Sequence, residues 1–328
     1  MNIPFFNYKA LFTENEKAFT DVFTDIGRRG AYIMQDDLID FELKIAKYSG
    51  AKFALGVANA TDAMQLLLKA GGIKAGDEVI FCSHTMIATA SAIAFTGAIP
   101  VPVDAGNDHL IDPNSIRQAI TKKTKAIIPT QLNGRVADMD KILIIAKEFN
   151  LQVYEDSAQA LGAKFKGQAA GTFGLGGCIS FYPAKTLGCF GDGGAILTND
   201  RDVYDKVKLM RDHGRGIDGN ITMWGFNSRL DNLQAAILNL FFENYNKTVD
   251  RRREIAYLYH ENLKALTNIV LPPKPSKNSI HFDIFQNYEI EADRRDDLKK
   301  YLSDQGVGTL IQWGGKAVHE FRDLGFSQ

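Results

Sequence analysis

The sequence predicts an α/β protein in which a large, mainly parallel sheet of seven strands is followed by a smaller C-terminal α+β unit. Three observations lead there. From about residue 50, short β-rich apolar runs alternate with longer segments of helical period. After Arg229 that alternation gives way to a long helical stretch. Beyond the Pro-bearing connector VLPPKPSKNSI, at 270–280, comes a short strand, helix and strand pattern.

The expected strands are FALGVA at 53–58, EVIFC at 78–82, IPVPVD at 99–104, KAIIPTQ at 125–131, QVYED at 152–156, CISFY at 178–182 and GAILTN at 194–199. Between them TDAMQLLLKA, TASAIAFTG and MDKILIIAKEF repeat apolar residues three and four apart, as helices covering a sheet do. Thr61 and Asp62 read as the start of the first, since a hydroxyl or carboxylate accepts from first-turn amides. LDNLQAAILNLFFENYNKTVDRRREIAYLYHENLKAL reads as two helices leaving the sheet domain. FDIFQNYEIEA then reads as a strand, RRDDLKKYLSDQG as a helix and VGTLIQW as a last strand. This places a large domain over 1–240, whose N-terminal segment packs with the small domain, and a small domain over 241–328.

Composition narrows the function. With 328 residues and 45% hydrophobic content the chain can bury a large core, and 38 basic against 39 acidic residues leave a net charge of -1. No overall field draws such a surface to nucleic acid or anionic lipid, so small metabolites are the expected partners. MNIPFFNYKALFTENEK has no basic stretch followed by a continuous apolar run, and no segment is apolar enough to span a bilayer; a cytoplasmic protein is expected. Cys82, Cys178 and Cys189 form no C-x-x-C pair and read as reduced core thiols. The six histidines lack H-x-x-x-H spacing, so no metal is expected; a metal site would have to be assembled from distant parts of the chain.

Chemistry concentrates in three segments. In SFYPAKTLGCFGDGG, Lys185 follows an apolar strand and precedes a Gly-rich turn, where its amine can reach a pocket at a strand end. A lone lysine is ordinarily a solvated surface charge; a nucleophilic one needs a depressed pKa or a cofactor aldehyde. In VYEDSAQALGA, Asp156 closes a strand at the carboxyl edge of the sheet, where open α/β folds bind ligands. A carboxylate there can keep a pyridine nitrogen protonated, which pyridoxal phosphate (PLP) requires to act as an electron sink; the plain alternative is a strand end. In VANATDAM, free helix-start amides and the Thr61 hydroxyl make an anion pocket, or simply a helix cap. GCFGDGGA lacks G-x-G-x-x-G spacing and reads as a tight turn, and no G-x-x-x-x-G-K-[ST] is present.

Taken in order, GAYIMQDDLIDFELKIAKYSGAKFALGVANATDAM, GDEVIFCSHTMIATASAIAFTGAIPVPVD, NGRVADMDKI, VYEDSAQALGA, SFYPAKTLGCFGDGGAILTND, MRDHGR and GFNSRLDNLQAAIL resemble the DegT/DnrJ/EryC1/StrS family, nucleotide-sugar aminotransferases of PLP fold type I. The resemblance implies that Lys185 forms the Schiff base with PLP and later shuttles a proton, that Asp156 pairs with the pyridine nitrogen, that Gln159 bonds the phenolic oxygen and that Ala158 packs on the ring. It implies a phosphate held by Ala60, Thr61 and Ser180, with Asn227 reaching in from a second subunit of a homodimer that shares its active sites. Ala60 replaces a usual Gly, and Met86 or His84 takes the place of a stacking aromatic. Arg229, Gln312, Trp313, His319 and His84 are the expected substrate contacts.

The family's chemistry implies an amino group moved from L-glutamate, through the pyridoxamine form, to a nucleotide-linked keto deoxysugar. IPFFNYK and RRGAYIMQDD resemble the 3-keto branch more than the 4-keto branch. Lipopolysaccharide, O-antigen and glycosylated products are the usual destinations. Three other enzyme or binding readings stand beside it. A dehydratase on the same scaffold replaces the lysine with histidine, which Lys185 opposes; a nicotinamide-binding protein would not form the cofactor's visible band, and a silent sensor that keeps the fold would not lose that band on adding glutamate. The chain ends at FRDLGFSQ, earlier than family members usually do.

Overall fold

Each of the seven apolar runs expected to form the sheet does so in the computed structural model, which describes residues 2–276 and 279–326. In chain order the strands are β1 (Phe53–Val57), β2 (Glu78–Cys82), β3 (Ile99–Val103), β4 (Thr124–Ile128), β5 (Gln152–Asp156), the short pair β6 (Lys164–Phe165) and β7 (Gln168–Ala169), β8 (Gly176–Ser180), β9 (Gly194–Thr198), and β10 (Ile269–Val270), β11 (His281–Phe282) and β12 (Glu291–Ala292). The main sheet runs β1-β9-β8-β5-β4-β2-β3. Its pairs are parallel except that β9 runs antiparallel to both β1 and β8.

Both faces of this sheet are covered, which explains why its strands read as near-continuous apolar runs. Alternation still sorts side chains between two cores: Ile80, Cys82 and Ile127 join one cluster, and Val79, Phe81, Ala126 and Ile128 the other. The covering helices are α2 (Asp36–Ser49), α3 (Ala60–Ala70), α4 (Ile87–Ala94), α5 (Pro113–Ala119), α6 (Met139–Glu148), α7 (Arg201–Met210) and α8 (Asn232–Phe242), with α1 (Tyr8–Arg29) packed on α8. The long stretch after Arg229 is α8 and α9 (Tyr245–Leu263), two helices as expected. No helix among the described residues is long and apolar enough to cross a membrane.

The C-terminal part departs from expectation. FDIFQNYEIEA supplies only the two-residue strands β11 and β12, separated by irregular chain; β11 pairs with β6, and β12 with β10. Helix α10 (Arg295–Asp304) forms where expected. The last expected strand, VGTLIQW, does not form. Val307 makes one isolated bridge to Ile3, and Gln312–Gly315 is a 3-10 turn. Trp313, Gly314 and Gly315 all have positive φ, which ends an extended chain. At the other end of the sheet α3 begins one residue before Thr61. Its N-cap is Asn59, whose Oδ1 accepts from the Asp62 amide at 2.8 Å, so the Thr61 hydroxyl is not spent on capping.

Candidate active site

Strand β5 ends on two acids that alternation sends to opposite faces. Glu155 is fully buried and accepts from the Gly171 amide at 2.9 Å, the Phe173 amide at 2.7 Å and Gln131 Nε2 at 2.7 Å. Burial pushes its pKa up, and those donors oppose the shift. It ties a loop to the sheet. Asp156 faces the other way: it accepts from the Thr89 hydroxyl at 2.6 Å, the Ala158 amide at 3.2 Å and the Cys178 thiol at 3.5 Å. Thr89 in turn lies 3.0 Å from the Thr85 hydroxyl, itself 3.0 Å from Thr130, so a buried chain of three hydroxyls ends on this carboxylate.

Lys185 stands in the loop after β8, half-buried. Burial pushes its pKa down, opposed by the negative charge of Asp156, whose field reaches the amine. The backbone around it is pinned from a distance. One buried carboxamide, Gln286, accepts from the Thr186 amide and the Thr186 hydroxyl, both at 2.7 Å, and donates to the Ala184 carbonyl at 2.8 Å. It thus brackets Lys185 from both sides. Sequence reasoning missed both Gln286 and the threonine chain, because neither forms a local motif.

The segments expected to hold an anion meet at one end of the sheet. Ser180, the last residue of β8, pairs with Gly194, the first of β9. A Cβ on Gly194 would lie 2.5 Å from the Asn59 carbonyl carbon and 2.8 Å from the Ala60 nitrogen, so only glycine lets β9 approach the start of α3. The amides of Ala60 and Thr61 belong to the first turn and have no intrahelical acceptor. Among the described residues Ser180 Oγ accepts one long bond, 3.3 Å from the Tyr182 amide. Asn227 is exposed; its neighbour Ser228 accepts from the Ala58 amide at 3.3 Å, which sets this corner beside the exit of β1.

The remaining expected residues divide. Gln159 Oε1 accepts from the Asn133 amide at 2.8 Å, which leaves its NH2 group to donate elsewhere. Ala158 packs beside the second core cluster. Met86 is half exposed and its sulfur accepts from the Ala88 amide at 3.3 Å at the start of α4. His84 turns to Glu289, 3.3 Å away. Gln312 donates to Asn133 Oδ1 at 3.1 Å, and Trp313 packs against the first core cluster with its buried indole N–H unpaired. His319 Nδ1 meets Ser83 Oγ at 2.5 Å. Arg229 pairs with Asp212 at 2.7 Å. The three cysteines are free and buried, as expected of core thiols.

The model of the DegT/DnrJ/EryC1/StrS aminotransferase family matches residues 13–322. A pleiotropic regulatory protein of Geobacillus stearothermophilus is 39% identical over 315 residues, 95% of this chain and 84% of the relative. The dTDP-3-amino-3,4,6-trideoxy-alpha-D-glucose transaminase of Streptomyces venezuelae is 36% identical over 312 residues, 95% of this chain and 82% of the relative. Among solved structures, ntda from Bacillus subtilis with bound cofactor PMP superposes with a TM-score of 0.88 at 29% identity, covering 97% of this chain and 73% of that one. The chain therefore belongs to the DegT/DnrJ/EryC1/StrS aminotransferase family and is an aminotransferase.

Proposed function

We propose that this chain moves an amino group from L-glutamate to the C3 keto group of a nucleotide-linked deoxysugar, using pyridoxal phosphate, as a homodimer with shared active sites. The observation that carries this reading is a half-buried lysine placed within the field of a carboxylate that is itself held at the carboxyl edge of the sheet. The residues present fit the cofactor. Asp156 is oriented by a hydroxyl, an amide and a thiol. Gly194 leaves a cradle between Ser180 and the open amides of Ala60 and Thr61. Asp156 would hold the ring nitrogen, Gln159 the phenolic oxygen and Ala158 one ring face. Ala60, Thr61 and Ser180 would hold the phosphate, joined by Asn227 of a second copy. Bound there, pyridoxal phosphate supplies the electron sink and carries the amino group between the two substrates.

The chain's own part is proton management and positioning. Because burial lowers the pKa of Lys185, more of its amine is unprotonated near neutrality than in a solvated lysine. Lys185 Nζ would move a proton from the donor's Cα to the bound cofactor in the first half-reaction, and from the cofactor to the sugar's C3 in the second. Asp156 stays fixed by Thr89 and the Ala158 amide, so its charge remains aimed while the lysine moves. The C3 preference rests on IPFFNYK and RRGAYIMQDD and is supported by the 3-amino product in the Streptomyces relative's name.

A panel assay tests this. The pyridoxamine-loaded protein is incubated with 3-keto and 4-keto nucleotide sugars, with glutamate to regenerate it, and products are read by mass. Amination of a 3-keto sugar, absent in Lys185→Ala, is expected. Amination confined to 4-keto sugars would remove the C3 assignment, and no product from any keto sugar would remove the function, leaving a regulatory role of the kind the Geobacillus relative's name suggests.

A further inference from the structure

Three side chains distant in sequence converge beyond the carboxyl ends of β2 and β3. His84 follows β2, His109 lies in the loop between β3 and α5, and Glu289 precedes β12; 205 residues separate the first from the last. We propose that His84, His109 and Glu289 bind one divalent transition-metal ion of the zinc class, joining the C-terminal segment to the carboxyl edge of the sheet.

The three groups already lie within reach of a common ion, which would take the place of the contacts between Glu289 and the imidazoles. One ligand atom from each residue lies within 4.8 Å of the others. Glu289 reaches one imidazole with each oxygen: Oε1 is 3.3 Å from His84 Nε2 and Oε2 is 3.1 Å from His109 Nδ1. Donors held at about 2.0–2.1 Å around a tetrahedral ion lie roughly 3.3 Å apart, close to the two separations from Glu289 to the imidazoles. Two imidazoles and one carboxylate are the donor set of a three-ligand zinc site with an open position, and they suit zinc, cobalt or nickel better than calcium or magnesium.

The outer groups are in place as well. His109 Nε2 meets Glu291 at 2.8 Å, the carboxylate-histidine arrangement that fixes which ring nitrogen faces a metal. Asn133 Nδ2 donates to the same Glu289 oxygen that His109 meets. A cleft of about 50 Å3, lined in part by His109, Asn133 and Glu289, leaves room for a water as fourth ligand. Asn133 also bonds Gln159 through its amide at 2.8 Å, and Asn287 and Gln312 through its side chain at 3.0 and 3.1 Å. An ion here would order the C-terminal segment two hydrogen bonds from Gln159, through Asn133, and its effect is expected on substrate affinity.

The test uses the full chain as purified, freed of metal with a chelator and titrated with Zn2+ alone by calorimetry, with Co2+ absorption as a second readout. One equivalent per chain and a four-coordinate cobalt spectrum are expected. Glu291→Gln should weaken binding by about 10- to 100-fold, and His109→Ala and Glu289→Gln by more, with circular dichroism confirming that each variant is folded. No stoichiometric binding to the unaltered protein overturns the proposal. So does binding that survives His109→Ala or Glu289→Gln in folded protein; if those variants do not fold, binding unchanged in Glu291→Gln and His84→Asn overturns it.

Discussion

Replacing Gln286 with leucine removes the bracket around Lys185 while leaving every residue assigned to the cofactor in place. Three hydrogen bonds go: two accepted from Thr186 and one donated to Ala184. Each is worth about 1 kcal/mol net, and a buried partner left unpaired costs about 1–3 kcal/mol. Thr186 and Ala184 are half-buried, so water recovers part of that cost, and a net destabilisation of about 2–3 kcal/mol is expected. The larger effect falls on rate, since a catalytic group displaced by about 1 Å can lose on the order of 100-fold. Thr186→Val removes only one of the three bonds and serves as the graded comparison. Urea unfolding gives the stability term, and the single-turnover reaction of the loaded enzyme with glutamate gives the rate. A Gln286→Leu protein that keeps the wild-type rate within about twofold, or loses no more than Thr186→Val, would refute the positioning role.

Three further outcomes follow from the same geometry. Thr89→Val keeps shape but removes a charge-assisted bond to Asp156 worth about 1.5–3 kcal/mol; cofactor affinity measured by fluorescence titration is expected to fall by about 10- to 150-fold, and an unchanged affinity would contradict the role of the hydroxyl chain. Gly194→Ala forces a Cβ against Asn59 and Ala60; at about 1–3 kcal/mol of overpacking cofactor binding should weaken by about 5- to 150-fold, and wild-type binding would mean the turn yields freely. In cofactor-free protein, burial holds Lys185 below its ordinary pKa, so the protonated amine opposes folding. Lys185→Met should therefore be the more stable protein below the folded-state pKa, with the advantage shrinking as pH rises toward the ordinary lysine value; a urea midpoint difference independent of pH would contradict that sign.

The sheet was legible because burial on both faces makes each strand an apolar run, and each run is bounded by turn residues or a helix cap. The same rule failed on VGTLIQW, whose Trp313 and following glycines adopt positive φ that no apolar count reveals. It also passed over the β6–β7 hairpin, KFKGQA, where two-residue strands are too short to carry a period. Asp156 and Lys185 could be read as strand-end residues, and the start of α3 could be placed to within a residue. Naming Thr61 rather than Asn59 as the cap followed from weighing hydroxyl and carboxylate caps without the side-chain geometry. Gln286 is 100 residues from Thr186, and Glu289 is 180 from His109. Contacts at such separations are fixed by how the C-terminal segment returns across the sheet edge, and spacing along the chain says nothing about them.

The central claim is that Lys185 is the residue that bonds the cofactor. Borohydride reduction of the pyridoxal phosphate-loaded protein, followed by peptide mapping, tests it most directly. A pyridoxyl group on the peptide containing Lys185, and its loss in Lys185→Ala, is the expected result. A pyridoxyl group on a different lysine, or none in protein that binds the cofactor stoichiometrically, would contradict the account.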